Sequence, residues 1–120
     1  MKWLENQLDI CKNTNKKVIL AGHTPIIMQG ENTSVAWNSD EILNLIWSHE
    51  NLVCIYFSGH YHVGGYLVDT KGIHHLTLKA ILETPPLNEN NPNSYAVVEI
   101  FDDQISVNYP HVSSKIVINI

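Results

Sequence analysis

The sequence predicts a mixed α/β (α+β) fold in which two parallel strands joined by a helix lead into antiparallel hairpins. Two continuous apolar runs, Lys17 to Ala21 and Leu52 to Phe57, each close on a Gly-His step, at Gly22-His23 and Gly59-His60. A helix-spaced apolar face lies between them. Beyond them, strand-like segments flank the turns Thr70-Lys71-Gly72 and Asp102-Asp103.

Taken in order, Trp3, Leu4, Leu8 and Cys11 recur at helical intervals and predict an amphipathic helix from Met1 to Asn13, ended by Asn13-Thr14-Asn15. Lys17 to Ala21 has the unbroken apolar character of a strand buried on both faces of a parallel sheet. Thr24 to Trp37 contains Pro25, Gly30 and several polar residues, so a long loop is expected, a kind of segment that usually carries function. Asn38, with Glu41 three residues on, has the pattern of a capping box. The following helix should turn Ile42, Leu43, Ile46 and Trp47 inward and end over Ser48 to Asn51. Leu52 to Phe57 then repeats the buried-strand pattern, parallel to the first.

Tyr66 to Asp69 and Ile73 to Leu78 read as a hairpin. Its second strand sets Ile73, His75 and Thr77 on one face and His74, Leu76 and Leu78 on the other, so at most one of the adjacent histidines can look toward a site. Glu83 to Pro86 and the Asn-rich stretch from Asn88 to Asn93 are expected to be loop, with Glu83 a candidate acceptor for a ligand histidine. Tyr95 to Phe101 and Gln104 to Tyr109 form a second hairpin, and after Pro110 the run Lys115 to Ile120 adds a last strand to the same sheet. His49 and His111 carry no partner pattern and read as structural.

At 120 residues the chain has room for one domain at most. Its 44% hydrophobic and 16% charged content fits a globular chain. Twelve acidic against seven basic residues give a net charge of -5, and no basic cluster exceeds Lys16-Lys17, which argues against nucleic acid as a partner. A phosphorylated small molecule stays compatible with that charge if bound metal supplies positive potential. Cys11 and Cys54 form no Cys-x-x-Cys pair and read as reduced core residues. Nothing resembles a signal peptide or a membrane span, so the expected location is cytoplasmic, with no membrane partner.

The chemistry concentrates at Ser58-Gly59-His60-Tyr61-His62-Val63-Gly64-Gly65. In extended backbone, residues i and i+2 point to one side, so His60 and His62 can address one ion or two neighbouring ions. Imidazole is the commonest neutral ligand for Zn, Mn, Fe and related ions. A strand, a crossover helix and a parallel strand bring both carboxyl ends to one sheet edge, where ligands of open α/β sheets bind. His23, His60 and His62 should converge there.

Gly22-His23 followed by Gly59-His60-Tyr61-His62 resembles the last two signature motifs of the calcineurin-like metallophosphoesterases. A closer resemblance, to the manganese-dependent ADP-ribose/CDP-alcohol diphosphatases, is carried by Trp3-Leu4 with Gln7-Leu8, Ala36-Trp37-Asn38 before Glu41-Ile42-Leu43, Gly64-Gly65-Tyr66, His74 to Leu78 and Glu83 to Pro86. The resemblance implies a β-sandwich flanked by helices and two divalent ions, with Mn favoured and Zn, Fe or Mg as alternatives. It also implies hydrolysis of a phosphoanhydride in a nucleoside diphosphate derivative. By position, His23 and His60 would bind one metal and His62 the other. Trp37, Asn38, Tyr61, Gly64, Tyr66 and His75 become candidate substrate contacts, Tyr61 filling the variable position between ligands.

The family's Asp-x-His, Gly-Asp and Gly-Asn-His motifs do not occur in this sequence. Residues 1–120 are therefore expected to form one partial domain, the C-terminal half of such an enzyme. An N-terminal half or self-association would have to complete it. A non-catalytic remnant or interaction module that binds one ion weakly or none is the alternative, and a small β-rich binding protein with incidental histidines a third.

Overall fold

Leu4, Leu8 and Cys11 lie on one stripe of the first helix, α1 (Lys2–Asn13), and turn it onto a sheet. The computed structural model describes residues 1–30, 34–83, 94–112 and 115–120. Trp3, placed on that stripe by the sequence pattern, is instead 74% exposed. One residue is about 100° of helical rotation, which carries Trp3 off the stripe that Leu4 and Leu8 define. Asn15, at φ 52°, then turns the chain in the left-handed conformation that asparagine tolerates better than most residues.

The chain continues through β1 (Val18–Ala21), α2 (Ser39–Ser48), β2 (Val53–Ser58), β3 (Gly65–Val68) and β4 (His74–Thr77). A 3-10 turn (Ile81–Glu83) precedes β5 (Val97–Ile100), β6 (Gln104–Asn108) and β7 (Ile116–Asn119). Asn38 stands at the start of α2 as expected, but its side chain makes no capping bond; its amide reaches the Met1 sulfur at 3.7 Å. The capping box is thus absent, although the helix starts where that pattern placed it.

Two sheets form a sandwich. The first has the order β1-β2-β4-β3, with β1 and β4 parallel to β2 and β3 antiparallel to β4. The second has the order β5-β6-β7, all antiparallel. One face of the first sheet packs with α1 and α2 around Leu8, Leu43, Ile46, Val53, Tyr56 and Ile73. Its other face packs on the second sheet around Ile55, Leu76, Ile105, Val107, Ile116 and Ile118. The mixed α/β class, the β-sandwich and the flanking helices expected from sequence are therefore all present.

Expected burial of β1 on both faces does not hold. Val18 and Leu20 reach the helix-side core, whereas Ile19 and Ala21 are exposed. β1 is the edge of its sheet, and its other face is left open at Ile19 and Ala21. Cys11 and Cys54 are free thiols, half-buried and buried, as expected. Burial raises the Cys54 thiol pKa above its ordinary value despite the opposing influence of Lys17. Among the described residues, no helix is long and apolar enough to cross a membrane.

Candidate metal centre

The parallel β1–β2 pair brings the two Gly-His steps together. Gly22 N–H donates to Phe57 O at 2.9 Å, and His23 O accepts both Gly59 N–H at 3.0 Å and His60 N–H at 2.8 Å. These backbone bonds lock the two strand ends side by side. Tyr56 secures them further, its hydroxyl donating to Thr24 O at 2.8 Å across a gap that a side chain at Gly22 would fill.

In consequence, His23 Nε2 and His60 Nδ1 stand 3.2 Å apart, with rings edge-to-face at 5.1 Å between centroids. Both residues are exposed. With metal–nitrogen bonds of about 2.0–2.1 Å, nitrogens on adjacent corners of an octahedral or tetrahedral shell would sit about 2.8–3.4 Å apart. That separation matches two neighbouring positions around a divalent ion.

His62 does not join that pair. His23 and His62 line one groove of about 570 Å³ together with Phe57, Lys79, Ile81 and Leu82. His60 lines another open cavity, of about 590 Å³, with Thr24, Ser34, Val35, Ala36 and Trp37. Among the described residues, no three His, Cys, Asp or Glu side chains are grouped closely enough to hold a metal ion. Among the described residues, the arrangement offers imidazole nitrogens and no carboxylate opposite them.

The candidate substrate contacts divide between the cavities. Trp37 is fully exposed beside the His60 cavity, with Asn38 exposed next to it. Tyr61 is half-buried, and its carbonyl accepts Gly64 N–H at 2.9 Å in the turn after His60. Gly64 and Tyr66 line a separate, smaller cavity, and the Tyr66 hydroxyl pairs with His74 Nδ1 at 2.8 Å. Glu83 ends the 3-10 turn, and its side chain lies outside the described residues, as do 84–93 of the expected loop and 31–33 of the earlier one.

The structure removes His75 from the site. Its side chain is 1% exposed, and Nε2 lies 3.0 Å from Asp69 Oδ2 on the helix-facing side of β4. The alternation of β4 explains this, because the face that carries Ile73, His75 and Thr77 packs under α2. Its neighbour His74 is half-buried. His49 is structural as expected, bridging Leu45 O at 2.9 Å and Asp9 at 3.1 Å, and His111 packs on Tyr109. Sequence reading missed two residues, Lys79 on the groove wall and Asp69 as a buried acceptor. An Asp immediately before Thr-Lys-Gly is a turn signal that points to the latter.

The sandwich with its strand-end histidines is similar to a solved dimetal phosphatase. A dimetal phosphatase from Danio rerio superposes on 98% of this chain with TM-score 0.85 and 25% identity, the chain covering 36% of that structure. Within that class the chain resembles the manganese-dependent ADP-ribose/CDP-alcohol diphosphatases. It is 36% identical over 109 residues to the one from Arabidopsis thaliana and 34% identical over 106 residues to the human one, matches covering 89% and 88% of this chain. The chain spans about a third of the length of these relatives, 33% and 30% respectively. No protein-family model matches it.

Proposed function

We propose that His23, His60 and His62 form the imidazole side of a two-ion centre that hydrolyses phosphoanhydride bonds in nucleoside diphosphate derivatives such as ADP-ribose or CDP-alcohols. The observation that carries this reading is the 3.2 Å approach of His23 Nε2 to His60 Nδ1 at adjacent parallel strand ends. Two such nitrogens, both exposed, are positioned to bind rather than to pack. Divalent ions held there, Mn foremost, would activate water near neutral pH and neutralise phosphate charge. This chain's own part is to orient the imidazoles through the Gly22, Gly59 and His60 backbone bonds and to flank the centre with the groove beside His62 and the cavity beside Trp37.

Carboxylate donors are needed for octahedral ions such as Mn, and we place them in chain outside residues 1–120, N-terminal to it and on the same or another polypeptide. In this reading residues 1–120 are one partial domain, working in the cytoplasm. A second reading, a non-catalytic module with weak or no ion binding, is favoured by the lack of any three-donor group among the described residues.

Titration calorimetry of metal-free protein with Mn and Zn, with His60→Ala alongside and an assay of ADP-ribose hydrolysis, separates the two. The proposal expects binding that His60→Ala abolishes, and no turnover until a carboxylate-bearing segment is added. Binding indifferent to His60→Ala, or none to either ion, supports the second reading.

A further inference from the structure

A small cavity between the two sheets, beyond the histidine groove, is lined by Gly64, Tyr66, Lys79, Tyr109, His111 and Val112 among others, and has a volume of about 120 Å³. That is room for several waters at about 30 Å³ each. Its polar groups are donors. Tyr109 is 4% exposed; its hydroxyl accepts the Lys79 backbone N–H at 2.9 Å and keeps its own proton to give. Burial raises the Tyr109 pKa, so that proton is retained. His111 Nε2 is buried and has no hydrogen-bond partner, a situation that calls for a ligand or an ordered water. Lys79 adds a cation, and no carboxylate lines the cavity among the described residues.

Gly64 makes room for the stem of that lysine. It sits at φ +76°, and a Cβ there would lie 2.9 Å from Lys79 Cγ and 3.1 Å from Thr77 O. A side chain at position 64 would push the lysine stem away. In a chain of net charge -5 with seven basic residues, the stem of one lysine thus lines the same cavity as a histidine and a tyrosine with donors to offer.

We propose that this cavity binds a small oxyanion of the phosphate class, with Lys79, Tyr109 and His111 Nε2, in its protonated tautomer, as the donors. Charge-assisted bonds to such an anion are the strong kind. The site stands independently of the metal reading, since none of its donors is a proposed metal ligand. Lys79 also lines the histidine groove, so an anion held here lies next to the place where a phosphorylated ligand would enter.

The test is an NMR titration of the protein with inorganic phosphate at constant ionic strength, following the amides of Gly64, Lys79 and Val112 and the ring of His111. Saturable shifts are expected at these positions, with affinity weakened about tenfold or more in Lys79→Gln. The amide spectrum of that variant reports whether it folds, and His111→Leu provides an independent variant with the same expected loss. Shifts that grow without saturating, that persist unchanged in both variants, or that centre on His23 and His60 would overturn the proposal. Metal binding lost in His60→Ala is measured separately, so either idea can fail alone.

Discussion

Asp69 is the residue whose environment most shapes its chemistry. Its side chain is 1% exposed and accepts four bonds: Trp47 Nε1 at 2.8 Å, His75 Nε2 at 3.0 Å, Lys71 N at 2.8 Å and Ile73 N at 2.9 Å. Burial pushes its pKa up, but the bonds from Trp47, His75 and the two amides outweigh burial and hold it below 3.8. Burial lowers the His75 pKa below 6.5 in spite of the Asp69 bond, and burial together with His75 lowers that of His74. With Nε2–H given to Asp69, a second proton on His75 would enter at Nδ1, which is buried and has no partner. All three folded-state pKa values lie below their unfolded values, so the unfolded chain binds more protons and stability rises with pH through each window. Stability should be full above about pH 7.5, fall first as the histidines titrate in the unfolded chain, and fall again below about pH 4 through Asp69. Urea unfolding from about pH 8 to about pH 2 checks this, and a flat profile would contradict it. Asp69→Ala leaves the indole, imidazole and amide donors without an acceptor, and a loss of about 3 kcal/mol in the same measurement at pH 7 is expected.

At the scale of elements, the β1–α2–β2 unit makes the candidate site, and Gly22 is where it is most exposed to change. A Cβ there would overlap the Tyr56 hydroxyl, the group that donates to Thr24 O just after His23. Gly22→Ala should lower stability by about 1–3 kcal/mol through overpacking. It should also weaken metal binding without removing a ligand, because His23 follows directly. Calorimetry beside urea unfolding would show both effects; a destabilised protein with unchanged metal affinity would mean the His23 loop adjusts independently. This unit was legible in the sequence, since an apolar run ending in Gly-His occurs twice with a helix between. Local patterns report which residues are apolar, and they do not report which surfaces the rest of the molecule covers. Hence Ile19 and Ala21 looked buried and are exposed, and the Asn38 capping box matched a pattern whose side-chain bond is not made. The candidate site was legible as a set of residue types at strand ends. The division of His60 from the His23–His62 groove, the removal of His75 and the place of Lys79 depend on contacts between segments far apart in sequence.

At the scale of the whole molecule, the two cores are complete beside β2 and β4, and apolar surface remains at the margins. On the first sheet the edge strand β1 exposes Ile19 at 38%. On the second, all of β5 is exposed, with Val97 at 48%, Ile100 at 66% and the following Phe101 at 46%. Both strands are sheet edges with unpaired backbone groups, and apolar edges of this kind template pairing with another strand. Charge opposes such pairing only weakly, since -5 is spread over 120 residues and β5 carries a single ionised side chain, Glu99, already bonded to Lys115 at 3.2 Å. Residues 1–120 on their own should therefore self-associate, with a sedimentation coefficient that rises with protein concentration. Ile19→Lys and Ile100→Lys place charges on the two edges without entering either core. If one edge mediates association, its variant alone should restore a concentration-independent monomer, which identifies the edge. A wild-type chain that sediments as a single monomer over the whole concentration range would show instead that these apolar side chains are adequately shielded, and edge pairing would be excluded as the way residues 1–120 meet another segment.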